Sequence, residues 1–271
     1  MSSDASGSAS APSPHAGYTA EQVRAAERPL LDAGEPLMRR ASTALAEEIA
    51  RMLDLPEAPD DDEAPDGDGS DDGDGEATDA AGRPIVVVLA GSGDNGGDAL
   101  FAASHLAERG ADVRIVATGS SLHEEGAAAA RRAGAADLDP DADPDEFERV
   151  VRLADVLVDG ILGIGAAASP ALRGRSREVV ARVLELLGPR WAADVGGAPR
   201  HPLVVAVDLP SGISPDDGSV PDPTVLPADV TVTMGAVKAG LLREPGARFA
   251  GRVVLVDLGL GPALEGVPPV D

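Results

Sequence analysis

Six short apolar stretches recur along the chain, at residues 85–90, 112–117, 155–159, 203–208, 228–234 and 252–257. Each is rich in valine and apolar at consecutive positions, the pattern of strands buried on both faces in a parallel sheet. Helical patterning predicts helices at 98–109, 123–133 and 173–187 between them. Two more helices precede the first strand. Thr19 opens TAEQVRAAE with Gln22 three residues on, a capping box, and Pro29 and Gly34 are read as breaking that helix. In 35–53, Leu37, Ala41, Leu45, Ile49 and Met52 fall on one helical face. Strands alternating with helices predict an α/β protein, its parallel sheet covered by helices on both faces.

Residues 18–271 read as one domain. The small, polar residues 1–17 are expected to be disordered. Residues 54–82 form an acidic tract without lysine, read as a flexible insertion. Asp68, Ser70, Asp72, Gly73 and Asp79 match the spacing of an EF-hand loop, but no helix flanks them and Gly75 replaces the usual apolar residue. Residues 188–202, with Trp191, read as a second loop insertion.

The densest chemistry follows the first strand, in Pro84–Asp98, PIVVVLAGSGDNGGD. Gly91, Gly93 and Gly96 spell G-x-G-x-x-G in a strand–turn–helix unit, which presents backbone N–H groups and a positive helix end to a ligand. The dinucleotide fingerprint also needs an acid at the end of the second strand, and VRIVAT (113–118) has none. A Walker loop is excluded because no Gly-Lys-Ser/Thr follows. Asp94, Asn95 and Asp98 set this turn apart. Carboxylates repel phosphate, so the turn handles a cation or a group to be protonated.

Composition narrows the classes. The chain of 271 residues carries 47 acids against 22 bases, a net charge of −25, which argues against nucleic-acid binding and against an anionic membrane. No cysteine is present, so disulfides and thiol catalysis are excluded. No apolar run is long enough for a bilayer and no signal peptide is legible, so a cytoplasmic setting is expected. His15, His105, His123 and His201 show no ligand spacing.

In open parallel sheets ligands bind at the carboxyl ends of the strands. Strand 155–159 ends at Asp159 and runs into Gly160–Gly165, and strand 203–207 ends at Asp208 before Pro210, Ser211 and Gly212. Strand 230–234 leads to Lys238. Folding should therefore bring Asn95, Asp98, Asp159, Asp208, Ser211 and Lys238 to one rim. Each Asp alone could be a turn cap. Together, clustered carboxylates raise one another's pKa and suit proton transfer, and an oxygen-only donor set suits a hard cation.

These motifs resemble those of the NAD(P)H-hydrate (NAD(P)HX) epimerases: AGSGDNGGDAL (90–100), DVLVDGILGIG (155–165), VVAVDLPSGIS…DDG (204–218), ADVTVTMGAVKAGLL (228–242) and YTAEQVRAAE…LMRRA (18–41). The resemblance covers about residues 18–260 apart from the acidic tract. It implies a three-layer Rossmann-like fold with a mainly parallel central sheet, a homodimer and a bound potassium ion. It implies potassium ligands at Asn95, Asp159 and Ser211, and substrate contacts from Asp94, Asn95, Gly96, Gly97 and Asp98. Further substrate contacts are implied at Gly163, Ile164, Gly165, Ala166, Ala167, Ala168, Ser169 and Asp208. Asp208 is the expected acid/base, with Lys238 either tuning it or holding a phosphate. Two departures stand out: Asp94 where the family commonly has Asn, and the alanine-rich run after Gly165. The expected reaction interconverts the R and S forms of hydrated NADH and NADPH (NADHX and NADPHX). Dehydration is expected to fall to a separate ADP- or ATP-dependent NAD(P)HX dehydratase. The rival expectation is a non-catalytic nucleotide- or protein-binding module on the same fold.

Overall fold

The computed structural model describes residues 13, 15–57, 82–188 and 202–270. The expected disorder of 1–17, the acidic tract and the loop around Trp191 fall mostly or wholly outside these residues. Seven strands form one sheet: β1 (Ile85–Ala90), β2 (Asp112–Ala117), β3 (Ala136–Asp137), β4 (Val156–Gly160), β5 (Leu203–Val207), β6 (Val230–Met234) and β7 (Arg252–Val256). Every neighbouring pair is parallel, in the order β3-β2-β1-β4-β5-β6-β7. The chain reverses direction across the sheet between β1 and β4, which makes their carboxyl ends the topological switch point.

The helices are α1 (Ala20–Asp32), α2 (Leu37–Met52), α3 (Asp94–Glu108), α4 (Glu124–Arg132), α5 (Pro144–Leu153) and α6 (Gly174–Leu187), with single turns α7 (Ala247–Ala250) and α8 (Gly261–Leu264). Side chains alternate across β1. Val86, Val88 and Ala90 pack with Leu45 and Ile49 of α2, Leu100 and Leu106 of α3 and Ala130 of α4. Val87 and Leu89 face the other way, toward Phe147 of α5 and Val180 and Val183 of α6. Two core layers thus enclose the sheet, and each fully buried Val or Leu contributes roughly 1.5–3 kcal/mol.

The predicted strands are present to within two residues at each end. Several elements differ from expectation. The strand β3 and helix α5 were not predicted, although the Asp143 side chain accepts from the N–H of Glu146 at 3.0 Å and Pro144 opens the helix, both start signals. Pro29 does not break α1. Its ring removes a single donor, and helical bonding resumes with the Ala33 N–H on the Pro29 carbonyl at 3.1 Å. The helix ends instead at Gly34, whose φ is +79°. Finally, α3 begins at Asp94, four residues before the expected start, so half of the glycine turn is the helix's first turn.

That early start depends on missing side chains. A Cβ on Gly96 would lie 2.1 Å from the Gly91 carbonyl oxygen, and one on Gly91 would lie 2.0 Å from the carbonyl oxygen of Ile161. The first turn of α3 therefore packs directly on the backbone that leaves β1 and β4. No helix among the described residues is long and apolar enough to cross a membrane.

Candidate active site

At the carboxyl ends of β1, β4 and β5 lies a cleft of about 830 Å³. Its floor is the glycine turn with Asp94, Asn95 and Asp98, and its flank is Ile161–Ala166. Asp208 and Met234 close one end, while Arg24, Glu27 and Arg28 of α1 close another. Helix α1 is opened by its capping box. The Thr19 hydroxyl accepts from the Gln22 N–H at 3.2 Å, and the Gln22 side chain accepts from the Thr19 N–H at 2.9 Å. Arg24 then donates to the Ile164 carbonyl at 2.5 Å, tying α1 to the flank.

Two polar clusters support the cleft from below. In one, Asp159 is fully buried at the tip of β4. Its carboxylate accepts from the Ser211 hydroxyl at 2.6 Å, the Ser211 N–H at 2.8 Å and the Ile161 N–H at 3.3 Å. Ser211 in turn accepts from the Leu162 N–H at 2.9 Å. Asn95 donates to the carbonyls of Val207, at 2.9 Å, and Leu162, at 3.1 Å. Its side-chain oxygen lies where a Cβ on Gly163 would approach to 3.0 Å. Burial raises the Asp159 pKa, and the Ser211 and Ile161 donors only partly offset it. Among the described residues no lysine or arginine is paired with Asp159. A buried carboxylate served only by neutral donors, beside an amide oxygen, a hydroxyl and backbone carbonyls, is an oxygen-only donor set that suits a hard cation. No cluster of three or more His, Asp or Glu side chains suited to a metal occurs among the described residues.

The second cluster centres on Asp208. Its φ of +68° places a non-glycine residue in the left-handed region, a conformation that costs on the order of 1–3 kcal/mol and concentrates at functional sites. The Asp208 N–H donates to Val232 at 2.7 Å, which locks the turn to β6. One carboxylate oxygen accepts from the buried Lys238 ammonium, from the Met234 N–H at 3.1 Å and from the Thr233 hydroxyl at 3.3 Å. Lys238 is 1 % exposed and donates also to the Met234 carbonyl at 2.7 Å and to Thr233 at 3.3 Å. With its donors spent inside the protein, Lys238 supports Asp208 and does not line the cleft as a phosphate contact would. The flanking chain is clamped as well, since the Tyr18 N–H donates to Val237 and the Ala239 N–H to the Tyr18 carbonyl.

The candidates from the sequence separate accordingly. Asp94, Asn95, Asp98, Gly163, Ile164, Gly165, Ala166 and Asp208 line the cleft. Gly96 and Gly97 sit behind it in the buried first turn of α3, Gly97 against His123 and Met38. Ala167, Ala168 and Ser169 lie beyond the flank, and Ser169 accepts from Arg173 at 2.5 Å. Asp159, Ser211 and Lys238 lie beneath the lining. Sequence reasoning missed Arg24, Glu27 and Arg28. Their i, i+3, i+4 spacing on the polar face of α1 was the available signal. Burial is the main cause that raises the pKa of Glu27, with Asp208 and Asp94 adding to it against Lys238 and Arg24.

A doubly wound parallel sheet with a polar cleft at its switch point places the chain among the Rossmann-like α/β proteins. The crystal structure of yeast ynu0 has the same fold, with a TM-score of 0.60, 18 % identity and coverage of 88 % of this chain and 86 % of that one. Residues 34–240 match the family described as YjeF-related protein N-terminus, and the chain belongs to that family. It is 47 % identical over 256 residues to an NAD(P)H-hydrate epimerase of Clavibacter sepedonicus, covering 94 % of both chains. It is 43 % identical to an NAD(P)H-hydrate epimerase of Microbacterium testaceum, over 94 % of this chain and 82 % of that one. A bifunctional NAD(P)H-hydrate repair enzyme of Mycobacterium tuberculosis is 35 % identical across 90 % of this chain, which corresponds to 41 % of its own length.

Proposed function

We propose that this protein is an isomerase that interconverts the R and S forms of hydrated NADH and NADPH, in nicotinamide nucleotide repair. The observation that carries the reading is a cleft at the switch point lined by Asn95, Asp98 and Asp208 with Asp159 and Ser211 buried beneath it, in a chain 47 % identical to a named epimerase along nearly its whole length. The substrate bears a hydroxyl on the ring carbon beside the nitrogen. The nitrogen lone pair expels that hydroxyl, and water returns to the other face. Proton transfer to the departing group and from the arriving water is the task of the site, worth roughly 10²–10⁴-fold.

Asp208 is the assigned acid/base. Its strained backbone and the Lys238, Thr233 and Met234 contacts hold one oxygen in place, and the residue faces the cleft. Asn95, Asp159 and Ser211 are the assigned holders of a potassium ion. The ion supplies positive charge beside a carboxylate-rich cleft that takes an anionic dinucleotide. Asp94, Asp98 and the loop from Gly163 to Ala166 are assigned to substrate contact, with Gly96 and Gly97 shaping the turn from behind and Ala167, Ala168 and Ser169 continuing the loop beyond the cleft. A homodimer, a cytoplasmic setting and coupling to a separate ADP- or ATP-dependent dehydratase complete the proposal.

The test is direct. The purified protein, mixed with the R epimer in potassium buffer, should produce the S epimer far faster than buffer alone, followed by chromatography. A rate equal to that of buffer would sink the reading.

A further inference from the structure

Asp98 differs from the other carboxylates of the site in what it lacks. Asp208 is paired with Lys238, Asp159 is held by Ser211, and Asp94 is exposed to solvent. Asp98 lines the cleft one helical turn after Asp94, mostly buried, and its Oδ1 has no hydrogen-bond partner and almost no contact with solvent. No arginine or lysine among the described residues is ion-paired with it. The groups that act on it are Asp208 beyond β5, Asp94 on its own helix and Glu27 on α1, all acids, with Lys238 opposing them. Arg24, Arg28 and Asp32 of α1 also line the cleft. An ionised carboxylate so placed is an uncompensated buried charge. Burial first, and then the three acids, hold the Asp98 carboxyl well above the usual carboxylate range. Two carboxyls in one cleft, one paired with a cation and one not, is the arrangement that separates a base from an acid.

We propose that Asp98 is a second catalytic carboxyl, which gives its proton to the departing hydroxyl while Asp208 takes one from the returning water. The inference rests on the epimerase reading. In the first half, the Asp98 proton passes to the hydroxyl oxygen. The carbon–oxygen bond breaks as the nitrogen lone pair forms a carbon–nitrogen double bond. Water leaves, and Asp98 is left as carboxylate. In the second half, water adds to the other face of that double bond. The π electrons return to nitrogen, and the surplus proton of the water goes to Asp208. Nothing is oxidised or reduced. Solvent carries the proton from Asp208 back to Asp98.

The experiment compares wild type with Asp98→Asn in the full chain, measuring kcat, KM, their pH dependence and the melting temperature. Asn keeps the shape but holds no transferable proton, so kcat should fall roughly 10²-fold or more while KM changes only a few-fold. The wild-type rate should decline as pH rises through the elevated Asp98 pKa, and the variant should lose that decline. Stability separates catalysis from structure. A group whose pKa is raised on folding stabilises fully below its unfolded pKa, and that contribution is lost as pH rises through the folded value. Asp98→Asn should therefore hold or raise the melting temperature at neutral and alkaline pH, where a structural role predicts a fall. A variant rate within threefold of an active wild type overturns the proposal and leaves the epimerase reading standing. So does a wild-type rate that already declines across the usual carboxylate range, which needs no variant at all. A wild type no faster than buffer removes the epimerase reading itself.

Discussion

At the scale of single residues, Asp208 joins the most constraints. Its left-handed backbone matters for the choice of variant, because Asn tolerates that conformation and Ala does not. Asp208→Asn should cut kcat by roughly 10²-fold or more. It should also cost stability, since it leaves the Lys238 ammonium buried without its counter-charge, a change typically worth about 3–5 kcal/mol. Adding Lys238→Met to Asp208→Asn removes the stranded charge. The double variant should recover much of the lost melting temperature and none of the lost rate. Thermal melts and single-turnover rates on the four proteins of this cycle check the expectation. A double variant no more stable than Asp208→Asn would mean that the pair carries little energy.

At the scale of elements, the β1–α3 turn divides its glycines by job. Gly91 is a packing glycine, because a Cβ there meets the Ile161 carbonyl at 2.0 Å and must drive the ends of β1 and β4 apart. Gly93 has nothing within 4 Å of its added Cβ and an ordinary φ of −96°, yet it lines the cleft. Gly91→Ala should therefore destabilise the protein by about 1–3 kcal/mol, as overpacking does. Gly93→Ala should leave the melting temperature nearly unchanged and raise KM instead. Equal melting temperatures for the two variants would contradict this division. Within the G-x-G-x-x-G spelling, the pair Gly91 and Gly96 is thus a backbone-contact device here. It lets α3 start early enough to carry Asp94, Asn95 and Asp98 onto the cleft.

Across the whole molecule the governing quantity is charge. A net charge of −25 repels itself in the compact state, so any added salt should raise the melting temperature by screening. A specific ion adds to this by mass action. At equal ionic strength, potassium chloride should stabilise the protein more than the chloride of a large organic cation. Asp159→Asn, which removes the buried carboxylate, should erase that difference while leaving the screening effect. Melting curves in the two salts check this without reference to activity. Equal melting temperatures in both salts would sink the cation site at Asn95, Asp159 and Ser211.

Much of this protein was legible along the chain because its determinants are local. Consecutive valines in Ile85–Leu89 and Leu203–Val207 require burial on both faces, which only a covered parallel sheet supplies. Parallel strands end at one edge, so the approach of Asp159 and Asp208, at the ends of β4 and β5, followed from strand direction, whereas Asp98 reaches them through the early start of α3. The capping box at Thr19 was readable for the same reason, being complete within four residues. Three things were decided by tertiary structure. Lys238 could have faced a phosphate or Asp208, and the Tyr18 clamp with the buried Thr233 turned it inward, spending its donors within the protein. Glu27, Arg24 and Arg28 were undistinguished polar residues of a helix until α1 was laid across the cleft. The contrast between Asp98 and Asp208 has no trace in the sequence, where both are acids in the turn region that follows a buried strand. It arises from which carboxyl the packing gives a cation, and a partner some 30 or 140 residues away is a product of the fold.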